Sequence, residues 1–495
     1  MQDRPPGFFR NPLVIAGAFF ALVSLANIIF LLLADILAAR ERPYVGIFTY
    51  IILPSILVLS LLVLAAGLVY GMRRRRVSGL PAFPVIDLNL SSQRRIFVGV
   101  VIGGGIFILL SLVGSYQFYQ FAESRTFCGQ ACHPVMKPEF TAHQMSAHAR
   151  VGCTECHVGG GATWFVRSKF SGTAQAFAFV LDRYPRPIPT PVKNLRPAQE
   201  TCGQCHWPQK FWGDELRQIT HFVSDERNTR REIHLLMKVG GGGMLPGEGS
   251  GIHWHMNLSH EVRYIARDPQ RQEVLWVQAR DQQGRVTEYL ARDAKLGPEE
   301  IARADKRRMD CMDCHNRPSH IYQPPDKAVD ESLLAGRLDP SLPFLKREAV
   351  KVLTESYAST AQAKEGIAKA IGTFYRAQHA DLARQKGEAL KKAVAEVQRI
   401  YEVTIFPEMK VNWRTYPDNI GHFRFPGCFR CHDGQHVSEE GKVIRKECVI
   451  CHVVVAQFEG GKPVQRNKGE FTHPVDLGDL TQVNCSDCHT GGASP

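Results

Sequence analysis

Three long apolar stretches stand out in the first quarter of the chain. They cover residues 13–39, 47–71 and 96–119. Each exceeds the roughly 20 residues that a helix needs to cross the hydrocarbon core of a bilayer. The first is too long for the core of a cleaved signal peptide, which has about 7–15 apolar residues. The pattern therefore predicts three transmembrane helices within a membrane region over residues 1–121.

Positive charge predicts how these helices are oriented. The loop after the second stretch carries four consecutive arginines at 73–76, and Arg94 and Arg95 follow before the third stretch. Loops rich in arginine and lysine stay on the cytoplasmic side. We therefore expect a bacterial inner-membrane protein with a cytoplasmic N-terminus, whose chain after the third helix lies in the periplasm.

Shorter elements follow the membrane region. Residues 262–268 and 273–291 have the character of short strands around turns at Asp268-Pro269 and Gln283-Gly284. Leu390, Val394 and Val397 recur at helical spacing, which predicts two or more helices between about 326 and 401. The predicted fold class is mostly α and irregular, with three N-terminal transmembrane helices and a small β element in the middle.

Cysteine usage adds the chemistry. The 14 cysteines form seven close pairs, and each pair is followed at once by histidine. In this arrangement two thiols attach a haem, and the adjacent histidine binds the iron on its proximal side. The cysteines are Cys128, Cys132, Cys153, Cys156, Cys202, Cys205, Cys311, Cys314, Cys428, Cys431, Cys448, Cys451, Cys485 and Cys488. The proximal histidines are His133, His157, His206, His315, His432, His452 and His489.

Other uses of such pairs fit less well. Zinc would need two pairs for each ion and would leave one of the seven unmatched. A redox disulfide does not require the histidine. Seven covalently bound haem c groups are therefore the prediction. The first pair, Cys128 and Cys132, encloses three residues where the others enclose two, and for this pair a haem site and a disulfide both remain open.

The formal net charge of +12 is typical of proteins with nucleic-acid or acidic partners. Seven haems would bring about fourteen propionate charges, which offset it. We therefore expect no nucleic-acid partner.

Further axial ligands must come from outside the motifs. With 19 histidines in the chain, twelve lie outside the seven motifs. The candidates are His148, His221, His255, His320, His422, His436 and His473. His253 competes with His255, and His234 competes with His221. Met136 follows the first motif, and its thioether would raise that haem's potential; a methionine packed on a porphyrin is the alternative.

The region 121–206 resembles the NapC/NirT family of membrane-anchored, quinol-oxidising cytochromes. The resemblance rests on a membrane helix, a first motif followed closely by methionine, and Ser146 and His148 ahead of the second motif. It implies a lysine that binds quinone beside the first haem, and Lys169 stands at that position. Taken without the family, Lys169 fits a lysine that extends from the membrane interface.

Two features depart from the family. The first motif has the wider spacing, and Ala176 stands where the lysine usually has an acidic or histidine partner, with Asp182 as a substitute. Three helices and seven motifs exceed the usual one helix and four haems. They are similar to the heptahaem inner-membrane cytochromes of metal-respiring bacteria, over most of the chain.

The motifs suggest five regions. These are the membrane region 1–121, a NapC-like trihaem module 122–220, a haem-free insert 221–310, a fourth haem with helices 311–410, and a C-terminal trihaem module 411–495. The leading hypothesis is a quinol-oxidising enzyme that passes electrons from menaquinol to periplasmic or outer c-type cytochromes, as in anaerobic or metal respiration. A passive electron-transfer subunit and a reductase of nitrogen or sulfur oxyanions are the alternatives. The oligomeric state stays open.

Overall fold

The computed structural model describes residues 11–38, 52–77, 87–131, 135–158, 170–172, 174–175, 177–192, 195–207, 213–240, 251–256, 260–469, 473, 478 and 483–492. Contacts divide the chain into two compact units. The first unit comprises Met1–His133, Val151–Asp182 and Asn194–Arg196. The second comprises Pro134–Arg150, Arg183–Lys193 and Pro197–Pro495.

The elements are named here in chain order. The α-helices are α1 (Pro12–Ala38), α2 (Leu53–Val77), α3 (Ser91–Glu123), α4 (Lys137–Gln144), α5 (Cys153–His157), α6 (Ala198–Cys202), α7 (Pro298–Arg303), α8 (Cys311–Cys314), α9 (Pro325–Leu334), α10 (Leu345–Thr354), α11 (Thr360–Gln378), α12 (Ala380–Gln385), α13 (Gly387–Thr404) and α14 (Cys485–Cys488). The strands are β1 (Glu215–Phe222), β2 (Arg230–Met237), β3 (Glu261–Ala266), β4 (Val274–Arg280), β5 (Val286–Ala291), β6 (Arg307–Arg308), β7 (His436–Val437), β8 (His452–Glu459) and β9 (Lys462–Gly469).

The first unit contains the three apolar helices α1, α2 and α3. Each is long and apolar enough to cross a membrane, over Pro12–Leu33, Leu53–Arg73 and Ser91–Gln117. The prediction of three such helices is confirmed, and they associate the protein with a membrane. The observed helices begin and end within a few residues of the predicted stretches, and α3 continues past its apolar part to Glu123.

Small residues let α1 and α2 pack closely. A Cβ atom added to Gly17 would lie 2.6 Å from the backbone nitrogen of Leu64, and Gly67 is equally enclosed by α1. Between α1 and α3, the Asn27 amide donates a hydrogen bond of 3.2 Å to the Ser111 hydroxyl. Close backbone approach and polar contacts of this kind are how membrane helices associate, since lipid offers no hydrophobic drive.

The second unit contains two antiparallel sheets. One has the strand order β6-β3-β4-β5-β7, and its three central strands are the β element that the sequence predicts. The other has the order β1-β2-β8-β9 and was not predicted. It joins strands that are far apart in the chain, with Leu235 of β2 opposite Val454 of β8.

Helices α9 to α13 form the main apolar core of the second unit. Their buried side chains include Ile367 and Tyr375 of α11 and Val397 and Ile400 of α13. This core confirms the helices predicted between about 326 and 401. It makes the helical part a rigid support, because its interior is filled by ordinary aliphatic and aromatic side chains.

Candidate haem-binding sites

The cysteine motifs that the structure describes in full lie on single turns of helix, which place the second cysteine and the histidine on the same side as the first cysteine. The turn is closed by the histidine backbone N–H, which donates to the carbonyl oxygen of the first cysteine. These bonds are His206 to Cys202 at 2.8 Å, His315 to Cys311 at 2.8 Å, His432 to Cys428 at 3.0 Å and His489 to Cys485 at 2.8 Å.

Five motif histidines face a second histidine ring. A histidine nitrogen binds a transition metal at about 2 Å, so two rings on opposite sides of one metal have centroids about 6 Å apart. The observed centroid distances are 6.0 Å for His206 and His148, 6.4 Å for His315 and His253, 5.8 Å for His432 and His255, 6.0 Å for His452 and His422, and 6.3 Å for His489 and His473. All five pairs fit one haem iron between the rings.

Hydrogen bonds orient several of these rings for metal binding. In four of these rings the Nδ1–H group donates to a backbone carbonyl. The lone pair of Nε2 is then available to a metal. The bonds are His148 to Pro318 at 3.3 Å, His253 to Val239 at 2.8 Å, His255 to Ile252 at 2.9 Å and His432 to Arg445 at 2.7 Å.

Burial keeps the rings in the form that a metal requires. Desolvation lowers the pKa of His255. Desolvation also lowers the pKa of His315, and the nearby His253 adds to that effect. Desolvation is also the main cause that lowers the pKa values of His422, His452 and His489. A neutral imidazole is the metal-binding form, so these rings need not lose a proton to bind iron at pH 7.

Within the second unit, the motifs adjoin one another in chain order. A side-chain hydrogen bond with Cys202 lowers the pKa of Cys311 to about 7. Burial raises the pKa of Cys314 to about 12, and the nearby Cys428 adds to the rise. Burial and Cys428 also raise the pKa of Cys451 to about 11. The third to sixth attachment sites therefore form a continuous series.

The first and second motifs also lie next to each other, and so do the sixth and seventh. In the first unit, Cys128 and Cys153 are joined by a side-chain hydrogen bond, which lowers the pKa of Cys153 to about 7. The first two motifs are therefore in contact. In the second unit, burial raises the pKa of Cys485 and Cys448 contributes, so the seventh motif adjoins the sixth.

A buried carboxylate fixes the loop of the fourth motif. Asp313 lies inside this motif and is 1% exposed. It accepts hydrogen bonds from the Tyr264 hydroxyl at 2.5 Å, from Arg307 at 2.7 Å and from Arg271 at 3.1 Å. Its second oxygen accepts from the Asp310 backbone N–H at 2.7 Å. A charge buried with two arginines is compensated, and it holds the motif in one conformation.

His320 has a different partner from the motif histidines. It faces His143 at 6.2 Å, and neither ring belongs to a cysteine motif. Its Nδ1–H group donates to the Glu139 carbonyl at 3.0 Å. Burial, followed by Arg317, lowers the pKa of His320 to about 4. His143 was not among the predicted ligands, although it lies on α4 shortly before the predicted ligand His148.

His436 and His221 have surroundings unlike those of the paired rings. His436 is 1% exposed, and both of its ring nitrogens face protein oxygens, Asp433 Oδ1 and the Val274 carbonyl, each at 3.0 Å. This conformation leaves no nitrogen for iron. His221 lies on β1, and burial, followed by Lys346, lowers its pKa to about 4.

The structure describes some of the remaining predicted site residues and not others. Met136 is half-buried and directly precedes α4. His157 closes α5 in the second motif. Cys132, His133 and Lys169 lie outside the described residues.

Cysteine pairs on single helical turns, each with an adjoining histidine that in five motifs faces a second imidazole, define a multihaem c-type cytochrome with covalently bound haem c. The chain belongs to the family of the cytochrome c-type protein ImcH of Geobacter sulfurreducens, to which it is 43% identical over 491 residues. The alignment covers 98% of this chain and 96% of that protein. A family model described as cytochrome c3 matches residues 422–494. No solved structure matches the chain.

Proposed function

We propose that the protein is an inner-membrane quinol dehydrogenase. It oxidises quinol from the bilayer and delivers electrons through seven haems to periplasmic or outer c-type cytochromes. The N-terminus is cytoplasmic and the haem-binding part is periplasmic, because c-type haem is attached on that side and the arginine-rich end of α2, residues 73–76, stays inside.

One observation carries the proposal: the membrane helix α3 leads directly into the first haem motif. The helix ends at Glu123, and the Cys128 backbone N–H donates to the Ser124 carbonyl at 3.2 Å. A haem attached at Cys128 is therefore only one turn away from a helix suited to cross the bilayer. Such a position is suited to taking electrons from a lipid-soluble donor.

The histidine pairs support electron transfer rather than substrate chemistry. When bound, haem c supplies one-electron redox chemistry. Two imidazoles on one iron leave no coordination position for a substrate and favour a lower potential than a histidine and a methionine do. Met136 beside the first motif would set a higher potential there. The five pairs thus speak against an oxyanion reductase at those five sites.

Lys169 is assigned to the quinol site on the family resemblance. Its ammonium group would orient a quinol oxygen by a charge-assisted hydrogen bond. Such a bond is worth about 1.5–3 kcal/mol, so its loss slows quinol oxidation by about tenfold or more.

The test is anaerobic reduction of the purified full-length protein by a menaquinol analogue in detergent, followed by the visible absorption of reduced haem. We expect quinol to reduce the parental protein, and Lys169→Ala to be reduced about tenfold or more slowly. Lys392→Ala changes an exposed lysine on α13 and is the matched control, expected to react at the parental rate.

Three results would contradict different parts of the proposal. If quinol does not reduce the parental protein but dithionite does, the chain is a passive subunit supplied by another protein. If Lys169→Ala reacts at the parental rate, quinol oxidation stands but its site lies elsewhere. A haem count of six by pyridine haemochrome would exclude the first motif as an attachment site.

A further inference from the structure

A single turn of 3₁₀ helix, Ile252–Met256, carries two of the paired histidines. His253 faces His315 of the fourth motif, and His255 faces His432 of the fifth. The two rings are separated in sequence by Trp254 alone. Two irons would therefore take an axial ligand from the same short turn, which couples their positions mechanically.

The turn is held firmly at its start. The Ile252 backbone N–H donates to the Lys238 carbonyl at 2.8 Å. The preceding Gly251 has φ +84°, and a Cβ atom there would lie 2.4 Å from the same carbonyl oxygen, so the approach requires glycine. The His253 ring is fixed by its bond to the Val239 carbonyl at 2.8 Å.

Trp254 fastens the centre of the turn to the five-stranded sheet. Its indole stacks on His260 with ring centroids 4.3 Å apart and an interplanar angle of 29°. It packs against a cluster that includes the buried Val262, Tyr264 and Val277. A large aromatic side chain packed in this way ties the turn to the sheet.

We propose that the Ile252–Met256 turn is a two-ligand unit that sets the geometry of the fourth and fifth haems together, with Trp254 as its positioning residue. The inference rests on the proposed ligation of iron by two histidines. It goes further because it predicts that one non-ligating side chain controls two haems at once.

The two histidine pairs differ in a way that spectroscopy can separate. The rings of His253 and His315 are nearly parallel, at 4°. The rings of His255 and His432 are nearly perpendicular, at 87°. Parallel imidazole planes give a ferric low-spin haem a rhombic electron paramagnetic resonance signal, whereas perpendicular planes give a strongly anisotropic one.

The experiment compares electron paramagnetic resonance spectra of the oxidised full-length protein and its variants. His253→Ala and His255→Ala each remove one signal and so assign the two haems. We expect Trp254→Ala to shift both assigned signals while the pyridine haemochrome count stays at the parental value. Trp254→Phe keeps an aromatic ring on His260 and should restore both signals.

The control is Trp276→Phe, which alters a buried tryptophan of β4 in the same sheet. If Trp254 only stabilises the fold, Trp254→Ala and Trp276→Phe both lower the melting temperature and leave the two signals in place, which overturns the inference. A shift of one signal alone also overturns it. If neither signal exists in the parental protein, the proposed ligation itself fails.

Discussion

A histidine that binds haem iron needs one ring nitrogen held by the protein and the other free for the metal. His432 meets this condition, since its Nδ1–H group donates to the Arg445 carbonyl at 2.7 Å and its ring faces His255. His436 does not, since protein oxygens face both nitrogens. Two histidines four residues apart thus differ in chemistry: His432 adjoins a cysteine pair and keeps one ring nitrogen for a metal, whereas His436 does neither.

Replacing His422 or His436 by alanine tests this distinction. We expect His422→Ala to convert one haem to a high-spin form that binds carbon monoxide when reduced, because the ring opposite His452 is lost. His436→Ala removes two buried hydrogen bonds and should cost about 1–3 kcal/mol of stability for each group left unpaired. All haems should nevertheless stay low-spin. Visible spectra with and without carbon monoxide measure both outcomes, and carbon monoxide binding by His436→Ala alone would reverse the assignment.

Sequence proximity predicts some of these ligands better than others. His473 stands near the motif that it faces, whereas His422 stands beside the fifth motif and faces His452 of the sixth. His253 and His255 were treated as rivals for one iron. In the structure each of them faces the histidine of a different motif, and both motifs lie far along the chain. Spacing along the chain carries no information about such distant pairing.

At the scale of elements, the periodicity of apolar residues predicts a helix or strand where the repeat lies within that element. Two or more helices between about 326 and 401 were predicted from the apolar repeat of Leu390, Val394 and Val397 on α13, and short strands were predicted in the region of β3 to β5. The β1-β2-β8-β9 sheet was missed because β2 pairs with β8 across more than 200 residues. Its half-exposed strands also lack the strict alternation that marks a sheet with one buried face.

The segment after the seventh motif shows how an element fastens a haem site to the helical core. Gly491 has φ +81°, and a Cβ atom there would lie 2.5 Å from Cβ of Pro324 and 3.2 Å from the Trp413 ring. The Trp413 indole N–H donates to the Thr490 carbonyl at 3.0 Å. The glycine is therefore required by both its conformation and its contacts.

Gly491→Ala should lower the stability of the protein by about 2–4 kcal/mol, since it adds a left-handed non-glycine residue and an overlap with Pro324. Gly387→Ala is the matched control, because nothing lies within 4 Å of a Cβ atom there. In the first turn of α13 it should be neutral or stabilise by up to about 1 kcal/mol. Thermal melting followed by circular dichroism measures both variants, and equal melting temperatures would contradict the role given to Gly491.

At the scale of the whole molecule, the membrane helices decide on which side of the membrane the haem motifs lie. The motifs must reach the side on which haem c is attached. The cysteine motifs and the three apolar helices were both readable from the sequence, since each is a local pattern. Their relation depends on orientation, which rests on the distribution of arginine and lysine. We therefore expect the basic segment at the end of α2, residues 73–76, to determine haem content, although it contains no ligand.

Replacing the four arginines at 73–76 by glutamine should reverse part of the population in the membrane. In reversed molecules the motifs face the cytoplasm and receive no haem, so haem per polypeptide falls while the chain is still inserted. Pyridine haemochrome measures haem per polypeptide, and protease digestion of spheroplasts measures how much of the haem-binding part is periplasmic. The control replaces Arg40 and Arg42 of the first loop, whose charges oppose the proposed orientation, so haem content should stay at the parental value. Full haem content in the 73–76 variant would show that the haem-binding part is translocated regardless of these charges.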